Sequence, residues 1–247
     1  MNTIYFCGIK VNPLSVKDIV DITEQWLQEG RRAIQITGVN LEQIAFLKRD
    51  KNFFTYINAS DIVNIDGIGV YWYLKLKGYK LSERSLCADI LKRLLQKADY
   101  NKRSIYLLGA TQETIELLVE NIEKEYKNVQ IVGYHNGYFS DEKLIVEDIS
   151  SKKPDYLFIG MPSPFKERFI TVYKEKMGVG ICFGVGGMFD IMSGKTKRAP
   201  EKIQKYGLEW LYRAFQTPNH YKRVLRVIYP SMRIFFKYLF EPKNQQF

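Results

Sequence analysis

Short apolar runs rich in β-branched and aromatic residues alternate along the chain with longer stretches whose apolar positions recur at helical spacing. The runs at 33–37 (AIQIT), 62–65, 104–108 (SIYLL), 129–132, 156–159 and 180–183 predict strands. Each is apolar nearly throughout, the pattern of a strand covered on both faces. The stretches at 16–28, 41–56, 87–98, 111–126, 141–151 and 166–176 predict helices. In the fourth, Ile115, Leu118, Val119 and Ile122 share one stripe behind Thr111, a capping residue type. This alternation predicts an α/β fold with a largely parallel sheet flanked by helices.

Beyond Pro218 the pattern changes. Tyr221, Leu225, Ile228, Met232, Phe235 and Leu239 alternate spacings of four and three, which sets six large apolar groups on one stripe, while Lys222, Arg226, Arg233 and Lys237 share another face. A basic amphipathic helix kinked near Pro230 is expected. It suits two settings: docked on the main body with its basic side in solvent, or lying in a bilayer surface with its basic side on anionic lipid. The chain accordingly divides into an α/β core, residues 1–194, and a basic helical appendage, residues 195–247.

Charge sharpens that division. Of 37 Lys and Arg and 27 Asp and Glu, 12 basic and 3 acidic residues lie between 195 and 243, so nearly all of the net +10 belongs to the last fifth of the chain. Its partner is expected to be anionic: phosphate head groups, a pyrophosphate or nucleic acid. The 247 residues, 46% hydrophobic, suit one large domain better than two. Three widely spaced cysteines (Cys7, Cys87, Cys182) and two histidines argue against a disulfide framework or a zinc site and fit a reducing cytoplasm. The first residues lack the regions of an export signal, and no run reaches the roughly 18 apolar residues of a spanning helix.

Open α/β sheets bind ligands at the carboxyl ends of their strands, and five glycine-bearing junctions fall there. They are Thr37-Gly38-Val39-Asn40, Asp66-Gly67-Ile68-Gly69, Gly109-Ala110-Thr111, Gly160-Met161-Pro162-Ser163 and Gly184-Val185-Gly186-Gly187. Glycine admits close backbone approach, and a following helix N-terminus offers N–H groups to phosphate. The last junction lacks the G-x-G-x-x-G order, and no Walker-type loop occurs, so neither hydride transfer nor ATP hydrolysis is supported. Asp66, between an apolar strand and two glycines, can take a proton from an attacking hydroxyl, or it can cap a helix or close a turn. Thr37, Asn40 and Asp190 carry the same alternatives. There is no D-x-D pair to hold a metal on a diphosphate. Neutralisation would fall to Lys195, Lys197, Arg198, Arg213, Arg223 and backbone dipoles, each of these side chains being otherwise an ordinary solvated charge.

A series of motifs runs in one order: Asp66-Gly67-Ile68-Gly69-Val70, Arg84-x-x-Cys87-x-Asp89, Tyr106-Leu107-Leu108-Gly109 and Gly133-Tyr134-His135-Asn136-Gly137-Tyr138-Phe139. It continues with Gly160-Met161-Pro162-Ser163-Pro164-x-x-Glu167, Gly184-Val185-Gly186-Gly187-x-Phe189-Asp190, Arg198-Ala199-Pro200 and Gly207-Leu208-Glu209-Trp210-Leu211-Tyr212-Arg213. From about Thr37 to Arg223 the chain resembles the WecG/TagA/CpsF family of bacterial glycosyltransferases.

The resemblance implies a Rossmann-like core that moves a sugar, N-acetylmannosamine-like or another hexose, with inversion from a UDP-sugar to a polyprenyl-diphosphate-linked saccharide. The setting implied is surface polysaccharide or teichoic acid synthesis at the cytoplasmic membrane face. Asp66 is the implied catalytic carboxylate, assisted by Thr37 and Asn40, with no metal and no cofactor. Arg84, Asp89 and Glu167 are expected to shape the pocket. Gly109, Gly137, Tyr138, Gly160, Pro164, Gly184, Gly186 and Gly187 are expected to line it, and Asp190 to hydrogen-bond a sugar or ribose hydroxyl. Arg198, Arg213 and Arg223 are expected to neutralise the departing diphosphate. The partners implied are donor, acceptor and an anionic membrane surface, with no nucleic acid; a homo-oligomer sharing the crevice is compatible. Two positions depart from the family pattern. Cys87 stands at the glycine of R-x-x-G-x-D, and Lys166 stands at the glutamine of P-K-Q-E. The competing readings are a nucleic-acid-binding module and a peripheral membrane scaffold, both without catalysis.

Overall fold

The computed structural model describes residues 2–46, 50–209, 211–212, 232–233 and 236. In chain order these form β1 (Ile4–Phe6), β2 (Ile9–Val11), α1 (Val16–Gln28), β3 (Ile34–Val39), α2 (Leu41–Phe46), α3 (Lys51–Asn58), β4 (Ile62–Ile65), α4 (Ile68–Leu76) and α5 (Cys87–Tyr100). Then follow β5 (Ser104–Gly109), α6 (Gln112–Glu125), β6 (Gln130–His135), α7 (Glu142–Lys152), β7 (Tyr156–Gly160), α8 (Phe165–Met177), β8 (Ile181–Gly184), α9 (Met188–Met192) and α10 (Glu201–Lys205).

Six strands form one parallel sheet in the order β4-β3-β8-β7-β5-β6. Because every strand runs the same way, all six carboxyl ends share one edge of the sheet. The sheet grows outward from its middle in both directions, β3 to β4 and β5 to β6, the arrangement that opens a crevice at that edge. Successive side chains alternate between the two faces. Ile105, Leu107, Tyr156, Phe158, Ile181 and Phe183 pack with α1, α5 and α6, whereas Tyr106, Leu108, Leu157, Ile159 and Cys182 pack with α7 and α8. This two-sided burial explains the unbroken apolar runs and bears out the α/β, Rossmann-like reading.

Several elements differ from the expectations. The β1–β2 hairpin, α4, α9 and α10 have no counterpart among the predicted elements. The hairpin turns through Cys7 and Gly8, both at positive φ (52° and 76°), and its strands are three residues long. Asn12 joins it to β4: its N–H donates to Val63 O and its Oδ1 accepts from Val63 N, each at 2.8 Å. Phe6, Ile9, Phe53, Val63, Tyr73 and Leu74 close a further apolar cluster there. The single helix expected over 41–56 is two, because Asp50 is extended and caps α3 by accepting from Asn52 N at 2.9 Å. The strand expected at 129–132 runs from Gln130 to His135. In the expected tail helix, Tyr221, Leu225, Ile228, Phe235 and Leu239 lie outside the described residues, while Met232 and Arg233 are helical. Among the described residues no helix is long and apolar enough to cross a membrane.

Gly109, at the carboxyl end of β5, has φ +135°, and a Cβ there would stand 2.6 Å from the carbonyl carbon and oxygen of Gly160 on β7. Gly109→Ala therefore combines backbone strain with a displaced strand end and is expected to cost about 2 kcal/mol or more. Urea denaturation reads this as a lower midpoint at unchanged slope. A midpoint equal to that of the parent would contradict it.

Candidate active site

β4 delivers Asp66 to the carboxyl edge of the sheet, where the N–H groups of Asp66 and Gly67 both donate to Val39 O at the end of β3 (3.2 and 3.0 Å). Asp66 Oδ1 accepts the N–H of Cys87, the first residue of α5, at 2.8 Å. Leu86, the N-cap residue, offers no side-chain cap of its own, so Asp66 supplies one from a distant strand. The carboxylate is half-buried and stands at the positive end of a 14-residue helix. The capping alternative is thus realised, by a half-buried side chain at the carboxyl edge of the sheet.

The wall behind Asp66 is the backbone of β3. A Cβ on Gly38 would meet Cys87 Sγ at 2.3 Å and Asp66 Cβ at 3.1 Å, so only glycine lets both side chains lie against the strand. Asn64 Nδ2 donates to Ser85 O at 2.6 Å and approaches Cys87 Sγ at 3.7 Å, while Asn64 Oδ1 is buried without a partner. Burial pushes the Cys87 thiol well above its ordinary value, and the Asp66 charge adds to this, so the sulfur is a packed thiol beside the carboxylate.

Arg84 links this corner to α10 by donating from Nη2 to Gln204 O at 3.0 Å. Burial pushes its guanidinium below the ordinary arginine value, and the carboxylates of Asp66, Glu209 and Asp89 pull the other way. Arginine stays cationic under such opposing effects. Asp89, in the first turn of α5, pairs with Arg198 at 2.9 Å, both side chains being partly exposed. Arg198 Nε is buried and unpartnered.

A second polar cluster sits on the first turn of α8. Glu167 Oε1, 1% exposed with its residue, accepts from Gln43 Nε2 (2.9 Å), Ser163 Oγ (2.8 Å) and Lys166 Nζ (2.5 Å). Lys166 also donates to Ser163 Oγ. Glu167 Oε2 is buried with no partner. The stem of Lys166 crosses the end of β8, since a Cβ on Gly184 would meet its Cδ at 2.9 Å. The charge that replaces the family's amide is therefore buried and matched by the next residue, and its field reaches the Cys87 thiol. Asn40 and Gln43 cap α2 reciprocally, Asn40 N to Gln43 Oε1 at 2.9 Å and Gln43 N to Asn40 Oδ1 at 3.1 Å. Asn40 thereby reaches the Glu167 cluster through Gln43.

The remaining expected residues are placed less directly. Thr37 is 2% exposed inside the sheet, where its hydroxyl oxygen accepts from Ser60 Oγ at 2.8 Å. Gly160 lies under the Phe189 ring, and Gly137 N donates to Ala110 O at 2.8 Å beside Gly109, so these three glycines serve the packing of strand ends. Tyr138 is exposed and Pro164 is the N-cap of α8. Gly186, at φ +55°, borders open space, Gly187 is the N-cap of α9 and Asp190 lies in its first turn. Arg213 and Arg223 lie outside the described residues. The structure thus gathers Asp66, Arg84, Asp89 and Arg198 at one corner and Asn40, Glu167 and Gly184 at a neighbouring one. Gln43, Asn64, Ser85 and Ser163 were absent from the expected set. Among the described residues no three His, Cys, Asp or Glu side chains are grouped to hold a metal ion.

Comparison with known proteins adds the family. The family model described as glycosyl transferase WecG/TagA/CpsF matches residues 4–245. An N-acetylglucosaminyldiphosphoundecaprenol N-acetyl-beta-D-mannosaminyltransferase of Bacillus subtilis (strain 168) is 34% identical over 214 residues, 86% of this chain and 83% of the relative. Proteins of the same name from Bacillus spizizenii (28% identical, 89% of this chain and 88% of the relative) and Staphylococcus aureus strain MW2 (27%, 87% and 84%) are also similar. With the α/β sheet, the Asp66 corner and a family match from Ile4 to Gln245, the chain belongs to the WecG/TagA/CpsF family of glycosyl transferases.

Proposed function

We propose that this chain transfers an N-acetylmannosamine-type sugar, with inversion, from a UDP-sugar to N-acetylglucosamine carried on a polyprenyl diphosphate, in surface polysaccharide or teichoic acid linkage synthesis. The observation that carries the reading is Asp66, a carboxylate anchored by Oδ1 to the α5 N-terminus at the carboxyl edge of the sheet. The names of the relatives supply the sugar and the acceptor class.

In this reading the acceptor hydroxyl attacks C1 of the donor sugar from the face opposite UDP. Asp66 Oδ2 takes the hydroxyl proton, the new C–O bond forms, and UDP leaves with the electrons of the broken one. One carboxylate suffices, since no covalent intermediate is made. The departing diphosphate is neutralised by Arg84, which faces Asp66 and Asp89, by Arg198, which is paired with Asp89, and by basic residues of the 195–247 appendage, so that no metal is required. Glu167 Oε2 and Asn64 Oδ1 are buried acceptors without donors beside these two polar clusters. Arg84, tied to Gln204, sets the start of the appendage against the core. A polyprenyl-linked acceptor stays in the bilayer, so the enzyme works at an anionic membrane surface.

Thermal melting with a panel of UDP-sugars tests the donor assignment. A ligand selective for the native state at about 100 times its Kd adds about 2.7 kcal/mol. UDP-N-acetylmannosamine is expected to raise the melting temperature most. A panel in which no UDP-sugar raises it would overturn the reading.

A further inference from the structure

The α4 helix carries more apolar surface than the fold uses. Its sequence is IGVYWYLKL; Val70, Tyr73 and Leu74 are buried against β4 and the hairpin, while Trp72 is 53% and Leu76 62% exposed. These two residues are one helical turn apart on the outer face. The patch extends onto a second element. A Cβ on Gly207 would lie 2.4 Å from Ile68 Cβ, so the turn after α10 is seated on the first turn of α4, and the neighbours of that glycine, Tyr206 and Leu208, are 75% and 42% exposed.

The charges along α4 and the turn that follows it have one sign. No acidic residue occurs between Asp66 and Glu83, whereas Lys75, Lys77 and Lys80 do. The Lys75 ammonium lies 5.1 Å from the Tyr71 ring centre and that of Lys77 5.8 Å from Tyr73, so their stems follow the helix and their heads sit at its rim. Glu83 is occupied by the N–H of Val16 at 2.7 Å, and Glu209 is among the carboxylates facing Arg84.

Resting on the proposed membrane-bound acceptor, we infer that the outer face of α4, with the Tyr206–Leu208 turn, docks on an anionic bilayer and holds the Asp66 crevice against it. Tryptophan and leucine between lysines fit the boundary of head groups and acyl chains, where an indole ring is favoured and an ammonium meets lipid phosphate. A second copy fits worse, because a two-fold contact through this face would bring Lys75 and Lys80 toward their own images. The helix starts two residues after Asp66, so a membrane held here lies beside the carboxylate that a lipid-linked hydroxyl has to reach. This contact is separate from the amphipathic stripe of the tail, and the two signals together would fix orientation as well as attachment.

The test uses the full chain with Trp26→Phe and Trp210→Phe, which leaves Trp72 as the one indole. With phosphatidylglycerol vesicles brominated on the acyl chains, Trp72 emission is expected to shift to the blue and to lose more than half its intensity. In the full chain with all other residues retained, W72E/L76E is expected to weaken sedimentation with phosphatidylglycerol vesicles at least tenfold. Turnover on a water-soluble, short-prenyl acceptor should stay unchanged. Sedimentation of the chain with Trp72 unquenched would overturn the α4 contact and leave the membrane reading standing, as would wild-type binding by W72E/L76E. Failure of the unaltered chain to sediment would remove the membrane reading and this inference with it. A dimer that W72E/L76E abolishes, with Trp72 unquenched by lipid, would assign the face to a second copy instead. Should the double variant misfold by circular dichroism, the Trp72 quenching decides alone.

Discussion

Asp66→Asn is expected to lower turnover by about 10²–10⁴-fold while UDP-sugar affinity stays within about threefold of the parent, the loss typical of removing a positioned general base. The substitution is informative because of the α5 contact. An asparagine Oδ1 still accepts the Cys87 N–H that Asp66 Oδ1 accepts at 2.8 Å, so the helix cap, the Gly38 wall and the position of the side chain persist. Only the proton acceptor is lost. Asp66→Ala removes the cap as well and should add a stability loss of about 1 kcal/mol, visible as a lower urea midpoint. Comparing the two variants separates chemistry from folding. Near-normal turnover in Asp66→Asn would mean that the carboxylate is a cap and nothing more.

Glu167→Ala is expected to destabilise the protein by about 3–5 kcal/mol, the range for breaking a buried ion pair from one side. For a chain of this size that is a fall in melting temperature on the order of 10 °C. Glu167 Oε1 is the acceptor on which Gln43, Ser163 and Lys166 converge, and Lys166 is 7% exposed. Truncating the carboxylate strands the ammonium beside Ser163 in a site with little access to water. Lys166→Gln should also destabilise, though by less than Glu167→Ala, because the buried Glu167 carboxylate loses its counter-charge but keeps Gln43 and Ser163 as donors and can accept from the new amide. If Glu167→Ala melted with the parent, the pair would be solvated and the floor of the crevice more open than its geometry indicates.

The sheet was legible because its strands are buried on both faces, which writes apolar runs such as SIYLL and YLFI directly into the chain. Elements that depend on a few residues were not. The hairpin strands of β1 and β2 are too short for a period to develop, and the Cys7–Gly8 turn lacks the usual Asn-Gly or Asp-Gly pair. The α4 run is apolar on both its buried and exposed sides, so little contrast marks it as helix. Asp50 is extended and caps α3, a break that a capping signal could have indicated inside the stretch 41–56.

In the site, the strand-then-glycine setting of Asp66 pointed to the crevice from sequence alone. Its partner did not, because the Cys87 N–H is 21 residues away and a backbone donor leaves no mark on composition. The same holds for Gln43 with Glu167, 124 residues apart, and for Arg84 with Gln204, 120 apart. Periodicity reports neighbours along a helix or strand and is silent on such pairings. Thr37 shows the reverse case. Its place near a strand end left it open between assisting Asp66 and capping, and in the structure it is buried with its oxygen accepting from Ser60. Lys166 was visible as a departure from the family motif, and the structure supplies the reason it is tolerated, a carboxylate one residue along the same helix turn.

In the proposed reaction one anchored carboxylate draws a proton from a hydroxyl that attacks opposite the leaving diphosphate. The anomeric configuration of the transferred sugar, read from the one-bond carbon–proton coupling at C1 of the isolated product, reports on it most directly. An α-linked UDP donor should yield a β-linked product. An α-linked product would contradict the account, since a lone base at Asp66 with no covalent intermediate cannot produce retention.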